Sequence, residues 1–362
     1  MIINNLKVNQ YRNLDEVKIE FHPYFNVFHG LNGQGKTNFI EAITYLSTLK
    51  SFRGSPDFEI INKDKDFFLT IIQCQNEISK YDLQVSYTPE KRKIMIDNNE
   101  IKKLNEIYGI LNTIVFTPSD VNIFEEEPKK RRSFLDSEIS KISPSYLFTL
   151  QKYNKLLKER NSCLKENMDN SYLEVLTNSL AELSDYLINK RIEFLEILEK
   201  NVQPIFNDLY GSTNIKINLK YKTFKEDSNK SSLEYFNDNL EEDKLKMVTS
   251  IGPHKDDWKL YFDGYQIENY ASQGQKRLSI LSIKLALLNV IEQLKGDKAI
   301  IILDDVLSEL DLNKRKYLIN YLYQRNQVFI TLANEKELTE VINKKGKYFL
   351  IENGLVVKEE EK

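Results

Sequence analysis

The chain has 362 residues, 41% of them hydrophobic and 29% charged, with a net charge of -3 and an isoelectric point near 5.9. This composition excludes a disordered chain and a uniformly basic nucleic-acid-coating surface, and the length exceeds one comfortable core, so two domains are expected, one inserted inside the other. Two distant cysteines, Cys74 and Cys163, exclude a disulfide scaffold; no apolar run nears a membrane span and Met1 to Lys7 lack a signal-peptide pattern, so a cytoplasmic protein without membrane partners is expected.

From Ile2 to Phe28, alternating apolar residues (Leu6, Val8, Val17, Ile19, Phe25, Val27) read as strands. A glycine loop follows, and Lys36 to Leu49 reads as a helix, with Phe39, Ile40, Ile43 and Leu46 at helical spacing. Between Phe67 and Ile101, alternating segments broken at Gln75-Asn76 and Asp97-Asn98-Asn99 read as an antiparallel meander. From Pro128 to about Lys200 glycine is absent and the spacing turns helical. Ser143-Pro144 marks a cap and first turn, and Asn167 to Ser171 separates two long helices. Leu173, Leu176, Leu180, Leu183, Leu187, Phe194 and Ile197 fit either a coiled-coil seam or one helix packed on a globular core. After the polar stretch Lys222 to Ser232, strand and helix alternate again to a hairpin at Asn353-Gly354, and the charged tail, Lys358 to Lys362, is expected to fray. The expected architecture is an α/β domain built from residues 1–124 and 250–362, with a mixed sheet and a meander, interrupted by a helical arm over 125–249.

The loop Gly30-Leu-Asn-Gly-Gln-Gly-Lys-Thr37 fits G-x-x-x-x-G-K-[ST] at every defined position, between a predicted strand and a predicted helix. Gly30, Gly33 and Gly35, interspersed with Leu31, Asn32 and Gln34, let backbone N–H groups turn inward around a β-phosphate, and the following helix points its positive end at the same anion. Lys36 adds a mobile charge for the β- and γ-phosphates, Thr37 offers a hard hydroxyl ligand for Mg²⁺, and Asn38 continues the ATP-binding stretch.

A hydrolysing site also needs a carboxylate at the end of a neighbouring buried strand, and Ala299-Ile-Ile-Ile-Leu-Asp-Asp305 reads as one. Asp304 is expected to hold Mg²⁺ directly or through water, and Asp305 to orient the attacking water as general base; a plain helix cap is the alternative for the pair. Ser272-Gln-Gly-Gln-Lys-Arg277 opens an amphipathic helix bearing Leu278, Leu281, Leu285 and Leu288, which makes its tip either a second anion site or an ordinary cap.

Glycine loop, helix cap, acidic strand and Ser308-Glu-Leu-Asp311 follow in the order that resembles the ABC-type ATPase heads of the RecF/SMC group. Tyr11-Arg-Asn-Leu14, Ser51-Phe-Arg53, Phe116-Thr-Pro-Ser-Asp120, Arg131-Arg-Ser-Phe-Leu-Asp136 and Ile251-Gly-Pro-His-Lys-Asp-Asp257 narrow the resemblance to the RecF family, over nearly the whole chain and least in the arm. The resemblance implies two heads closing face to face on two ATP molecules, with Ser272, Gln273, Gly274, Gln275 and Arg277 acting in trans as the signature and Ser308 and Asp311 in the D-loop. It implies Tyr11, Arg12 and Asn13 near the adenine, Phe116 to Asp120 near the Q-loop, ATP-dependent DNA binding at gaps or single-strand/duplex junctions, and slow, DNA-stimulated hydrolysis as a release step. It further implies work with RecO and RecR in loading RecA. The family's acidic pair stands where many ABC heads carry Glu, and Phe329-Ile-Thr-Leu-Ala-Asn334 stands where transporters carry a switch histidine, leaving Thr331 or Asn334 as γ-phosphate sensors.

Lys129, Lys130, Arg131 and Arg132, at a predicted helix start, are either a DNA patch or a solvated face paired with Glu125-Glu-Glu127, the second being favoured. His254 reads as structural in preference to a ligand contact. A transporter's nucleotide-binding subunit and the regulatory head of a nuclease complex are the competing functions. The arm and the missing switch histidine count against the first, and the absence of a further carboxylate cluster counts against the second.

Overall fold

The computed structural model describes residues 1–103, 106–166, 169–227, 230–333 and 344–362. Its contacts divide the chain into two compact units, Met1–Asp120 with Leu287–Lys362, and Val121–Ala286.

Among its described residues the first unit, the head, holds two six-stranded sheets. The meander is antiparallel: Leu14–Glu20, Ile2–Tyr11, Phe68–Gln75, Lys80–Tyr87, Arg92–Ile96 and Asn99–Glu100 lie in that spatial order. Asp97 and Asn98 both adopt left-handed backbone (φ 50° and 64°), which reverses the chain there. In the second sheet Phe25–His29 lies between Gly346–Glu352 and Val328–Leu332, followed by Ile300–Asp304 and Thr113–Phe116, all parallel. The helix Lys36–Thr48 joins the two layers, since its Phe39, Ile40 and Ile43 share one core with Leu6 and Val8 of the meander and Ile302 and Phe329 of the parallel sheet. That continuous apolar burial is the head's main stabilising term.

The charged tail does not fray. Leu355–Glu361 pairs antiparallel with Gly346–Glu352 through the Asn353-Gly354 turn, and Lys362 exchanges backbone hydrogen bonds with Gly346 at 3.0 Å. Charge marks exposure, but an edge strand is exposed and hydrogen-bonded at once, and its charges discourage further pairing.

The second unit, the arm, carries the helices Pro128–Ile142, Pro144–Glu166, Asn170–Tyr210, Ser232–Asp238 and Leu240–Lys246 with a small antiparallel sheet of Ile217–Lys222, Asp257–Phe262 and Tyr265–Gln266. Ser143 caps its helix by accepting from Tyr146 N–H at 3.2 Å. The long helix is not a coiled-coil seam. Leu183 and Ile197 are only half-buried, whereas Thr177, Ser184 and Arg191 are buried, so its covered face is wider than a heptad stripe and packs as one helix on a globular core. The composition shift puts the arm's boundaries at 125 and 249; the contacts put them at 121 and 286, because Asp257–Phe262 pairs with Ile217–Lys222. Among the described residues no helix is long and apolar enough to cross a membrane.

Candidate nucleotide site

The glycine loop leaves Phe25–His29 at the carboxyl end of the parallel sheet and enters the helix at Lys36. Two glycines there are obligatory. Gly30 (φ 141°) passes so near Ile351 that a Cβ would sit 2.5 Å from its carbonyl oxygen, and at Gly35 (φ 102°) a Cβ would meet the Asn13 amide at 2.7 Å. Gln34 pins the loop to the last hairpin, its carbonyl accepting from Gly354 N–H at 2.8 Å and its Oε1 from Asn353 N–H at 2.8 Å.

A cavity of about 230 Å³ opens beside this loop, lined by Asn32, Gly33, Gly35, Lys36 and Thr37 together with Asn38, Arg53, Asp305 and Thr331. Lys36 Nζ donates to the carbonyls of Gly30 (2.7 Å) and Leu31 (2.8 Å), and burial lowers its pKa while Asp305 and Asp304 oppose that shift. Asp304, at the end of Ile300–Asp304, accepts two hydroxyl hydrogen bonds, from Thr37 at 2.9 Å and Thr331 at 2.8 Å. Burial holds its carboxyl above the usual range, against the two threonines and the charges of Arg53 and Lys36. Asp305 adopts left-handed backbone (φ 55°), fixed by its N–H to Thr331 Oγ1 at 2.9 Å. Its carboxyl is raised by burial and then by the charge of Asp304. Two carboxyls pushed up by burial beside a lysine, with Asp305 and Lys36 lining an open cavity, form a site built for a multivalent anion and its cation. Thr37 and Asp304 are hard oxygen donors already within hydrogen-bond reach of each other, which suits Mg²⁺.

Around the loop, Glu41 is fully buried and gathers Arg12 (two bonds at 3.0 Å), the Ser51 hydroxyl and Arg53 at 3.6 Å. Arg53 also donates to Asn38 Oδ1 at 2.9 Å, and Asn38 to Asn13 Oδ1 at 2.7 Å. Arg12, Asn13 and Asn38 are thus brought to the loop, but Tyr11 is not free to meet a base: it is fully buried, edge-on to Tyr45 and Phe68. Sequence reasoning did not assign Arg53 and Glu41 to the site. The one readable signal was a carboxylate at position 41 inside an apolar helix, which demands a cationic partner. Of the two proposed γ-phosphate sensors, Thr331 lines the cavity and Asn334 lies outside the described residues.

The other sequence candidates fall in three places. Ser308 donates to the Asp305 carbonyl at 2.8 Å, and Asp311 caps Leu312–Leu322 by accepting from Lys314 N–H at 3.1 Å. In the arm, Ser272, Gln273, Gly274 and Arg277 are exposed at the start of Gln273–Lys295, where Ser272 and Gln275 cap each other. In the Q-loop segment, Thr117 N–H donates to Asp120 at 2.6 Å. The basic run is not one patch. Lys129 and Lys130 are exposed, but Arg131 is buried, bidentate to Asp257 at 2.8 and 2.7 Å, and Arg132 donates to the Asp256 carbonyl at 2.5 Å. A helix periodicity turns successive cations to different faces, and a carboxylate 126 positions later claimed one of them. His254 sits between the Tyr153 hydroxyl (2.7 Å) and the Thr249 carbonyl (3.1 Å), and burial lowers its pKa to about 4, a structural neutral histidine.

Parallel strands that end in a glycine-lysine loop and an acidic pair, sharing one core with an antiparallel meander, are the architecture of an ABC-type ATPase head. The family described as "RecF/RecN/SMC N terminal domain" matches residues 2–356. The chain is 34% identical to the DNA replication and repair protein RecF of Clostridium beijerinckii, over 99% of this chain and 98% of that protein. It is 36% identical to RecF of Bacillus subtilis, over 99% and 100%. It superposes on a solved structure of the recombination mediator protein RecF-ATP in the RecFOR pathway with a TM-score of 0.91 and 33% identity, covering 99% of this chain and 97% of that one. A structure of an SMC head bound to the winged-helix domain of ScpA shares the fold alone (TM-score 0.59, 15% identity, covering 100% and 98%). The chain belongs to the RecF family of DNA replication and repair proteins.

Proposed function

We propose that this chain is an ATP-gated DNA-binding switch: ATP in the head cavity draws two copies into a dimer that holds DNA, and slow hydrolysis releases it. The observation that carries this reading is the convergence of Lys36, Thr37 and Asp305 on one open cavity at the ends of parallel strands, with Asp304 hydrogen-bonded to Thr37. The loop's N–H groups and Lys36 would grip the triphosphate. Mg²⁺, held by Thr37 and Asp304, would supply charge to the phosphate oxygens. Asp305, its carboxyl raised, is suited to orient and deprotonate water at the γ-phosphate; its side chain is one methylene shorter than Glu, which suits slow, switch-like turnover. The exposed Ser272-Gly274 tip offers a hydroxyl and N–H groups for the partner copy's γ-phosphate. The kinship with RecF proteins of the RecFOR pathway supports RecO and RecR as partners, with RecA loading as the outcome, at gaps or junctions in DNA.

The test is sedimentation of Asp305→Asn with ATP and Mg²⁺, in parallel with filter retention of short duplex DNA. An ATP-dependent dimer that retains DNA, more weakly as salt rises, is expected. A chain that stays monomeric at saturating ATP removes the shared site, and retention indifferent to ATP removes the gate.

A further inference from the structure

In the arm, the last residue of Asn170–Tyr210 reaches the signature tip. Gln275 uses its whole amide: Oε1 accepts from Ser272 N–H at 2.8 Å, Nε2 donates to the Tyr210 hydroxyl at 3.1 Å, and its own backbone N–H reaches Ser272 Oγ at 3.3 Å. Because Oε1 must face a donor and Nε2 an acceptor, these contacts leave the amide one orientation. Tyr210 cannot drift. Its ring stacks on Phe206 (5.2 Å, 16°) and meets Phe262 edge-on (6.4 Å, 76°), so apolar packing sets where its hydroxyl lies. The next residue, Lys276, is buried and tied to Glu125 at 2.8 Å and the Glu268 carbonyl at 3.1 Å, so the tip is held from below while Ser272 and Gly274 stay exposed.

We propose that Tyr210 is a positioning residue for the signature: acting through Gln275, it holds the Ser272 hydroxyl and N–H in the one arrangement that caps a triphosphate bound to the partner copy. This rests on the shared-site reading above. Without the Tyr210 hydroxyl, the Gln275 amide is held by Ser272 N–H alone and its reciprocal cap on Ser272 loosens, so the tip becomes several conformers of which a fraction is competent. The loss falls on dimer closure and turnover, because the loop that takes up ATP is made of other residues.

Tyr210→Phe removes one oxygen and keeps the stacked ring. Expected are an unchanged melting temperature and KM for ATP, with kcat lowered roughly 2- to 12-fold, the range one neutral hydrogen bond accounts for. The ATP-dependent dimer of Asp305→Asn should weaken by a similar factor when Tyr210→Phe is added. Gln275→Met should reproduce the loss, and the pair together should be no worse than Gln275→Met alone, since both act along one path. Additive losses, or a Tyr210→Phe chain with unaltered kcat and dimer strength, overturn the proposal. Ser272→Arg in the Asp305→Asn background separates the levels. If that chain still dimerises with ATP, the shared-site reading fails and this inference with it; if it is monomeric while Tyr210→Phe changes nothing, only the role of Tyr210 is refuted.

Discussion

Head and arm employ the same charged residues to different effect. In the head, Lys36 and Asp305 line an open cavity, Asp304 is hydrogen-bonded to two of the threonines that line it, and each of the three is shifted toward its neutral form by burial. In the arm, charges are closed off and matched: Arg160 and Asp243, both fully buried, pair at 2.8 Å. Arg191 donates to Asp136 at 2.9 and 3.0 Å, to the Tyr221 hydroxyl at 2.8 Å and to the Pro253 carbonyl at 2.7 Å. A buried charge matched by an opposite one specifies architecture, while a perturbed charge facing a cavity is available for chemistry. Substitutions that isolate each kind should therefore separate activity from stability.

The largest expected effect is on turnover. Asp305→Asn should lower kcat about 10² to 10⁴-fold, the usual contribution of a positioned general base, as read in a phosphate-release assay. It should not lower stability. With its pKa raised, Asp305 keeps its proton to higher pH in the folded chain than in the unfolded one, so the stability this provides is present in acid and lost as pH rises through the folded value. The variant should melt at or above the parent at neutral pH, and the gap should close as pH falls below the ordinary carboxylate range. A clear fall in melting temperature would place Asp305 among the architectural charges.

The converse holds for Arg160→Met, which leaves Asp243 buried without its cation and should cost roughly 3–5 kcal/mol in urea unfolding. Adding Asp243→Leu should restore much of that, because an apolar pair needs no desolvation. If the single variant is as stable as the parent, the arm's matched charges are not what specifies it.

What was legible in the sequence follows the same division. The glycine loop, the acidic strand end, the meander turns and the Ser143-Pro144 cap are local: each is a contiguous run whose backbone demands select its residues. The ABC-type head fold was readable from their order. Pairs such as Arg131–Asp257 or Arg12–Glu41 are set by tertiary approach across 126 and 29 positions, and no local pattern encodes them. The same cause hid the place of Arg53 and gave the long helix the look of a seam, since residues such as Arg191 are polar by type yet buried by partner. The charged tail misled in the opposite direction, because strand pairing depends on a neighbour's backbone and not on side-chain charge.

A smaller effect comes from His254. The unfolded chain takes up its proton near pH 6.5 and the folded arm only near 4, so stability present above 6.5 is lost as pH falls through that window. By pH 4 the loss is about 3 kcal/mol. His254→Gln, uncharged throughout, should flatten the thermal-melt profile between those values, and an unchanged profile would mean that the imidazole is accessible to protons in the folded arm.

The smallest effect tests whether any arm charge escapes the rule. Lys129 and Lys130 are exposed, whereas Arg131, the next residue, is claimed by Asp257. Replacing both lysines by alanine should leave stability within about 0.5 kcal/mol, as for most surface changes. If they meet phosphate, ATP-dependent DNA retention should weaken uniformly across sequences, and the salt slope should fall by about 1 to 2. Arg131→Ala should instead lower the melting temperature, leaving Asp257 half-buried with only the 4.0 Å ion pair to Lys259. Equal losses of DNA retention from all three substitutions at unchanged stability would restore the run as a single patch and break the separation of matched from available charge inside the arm.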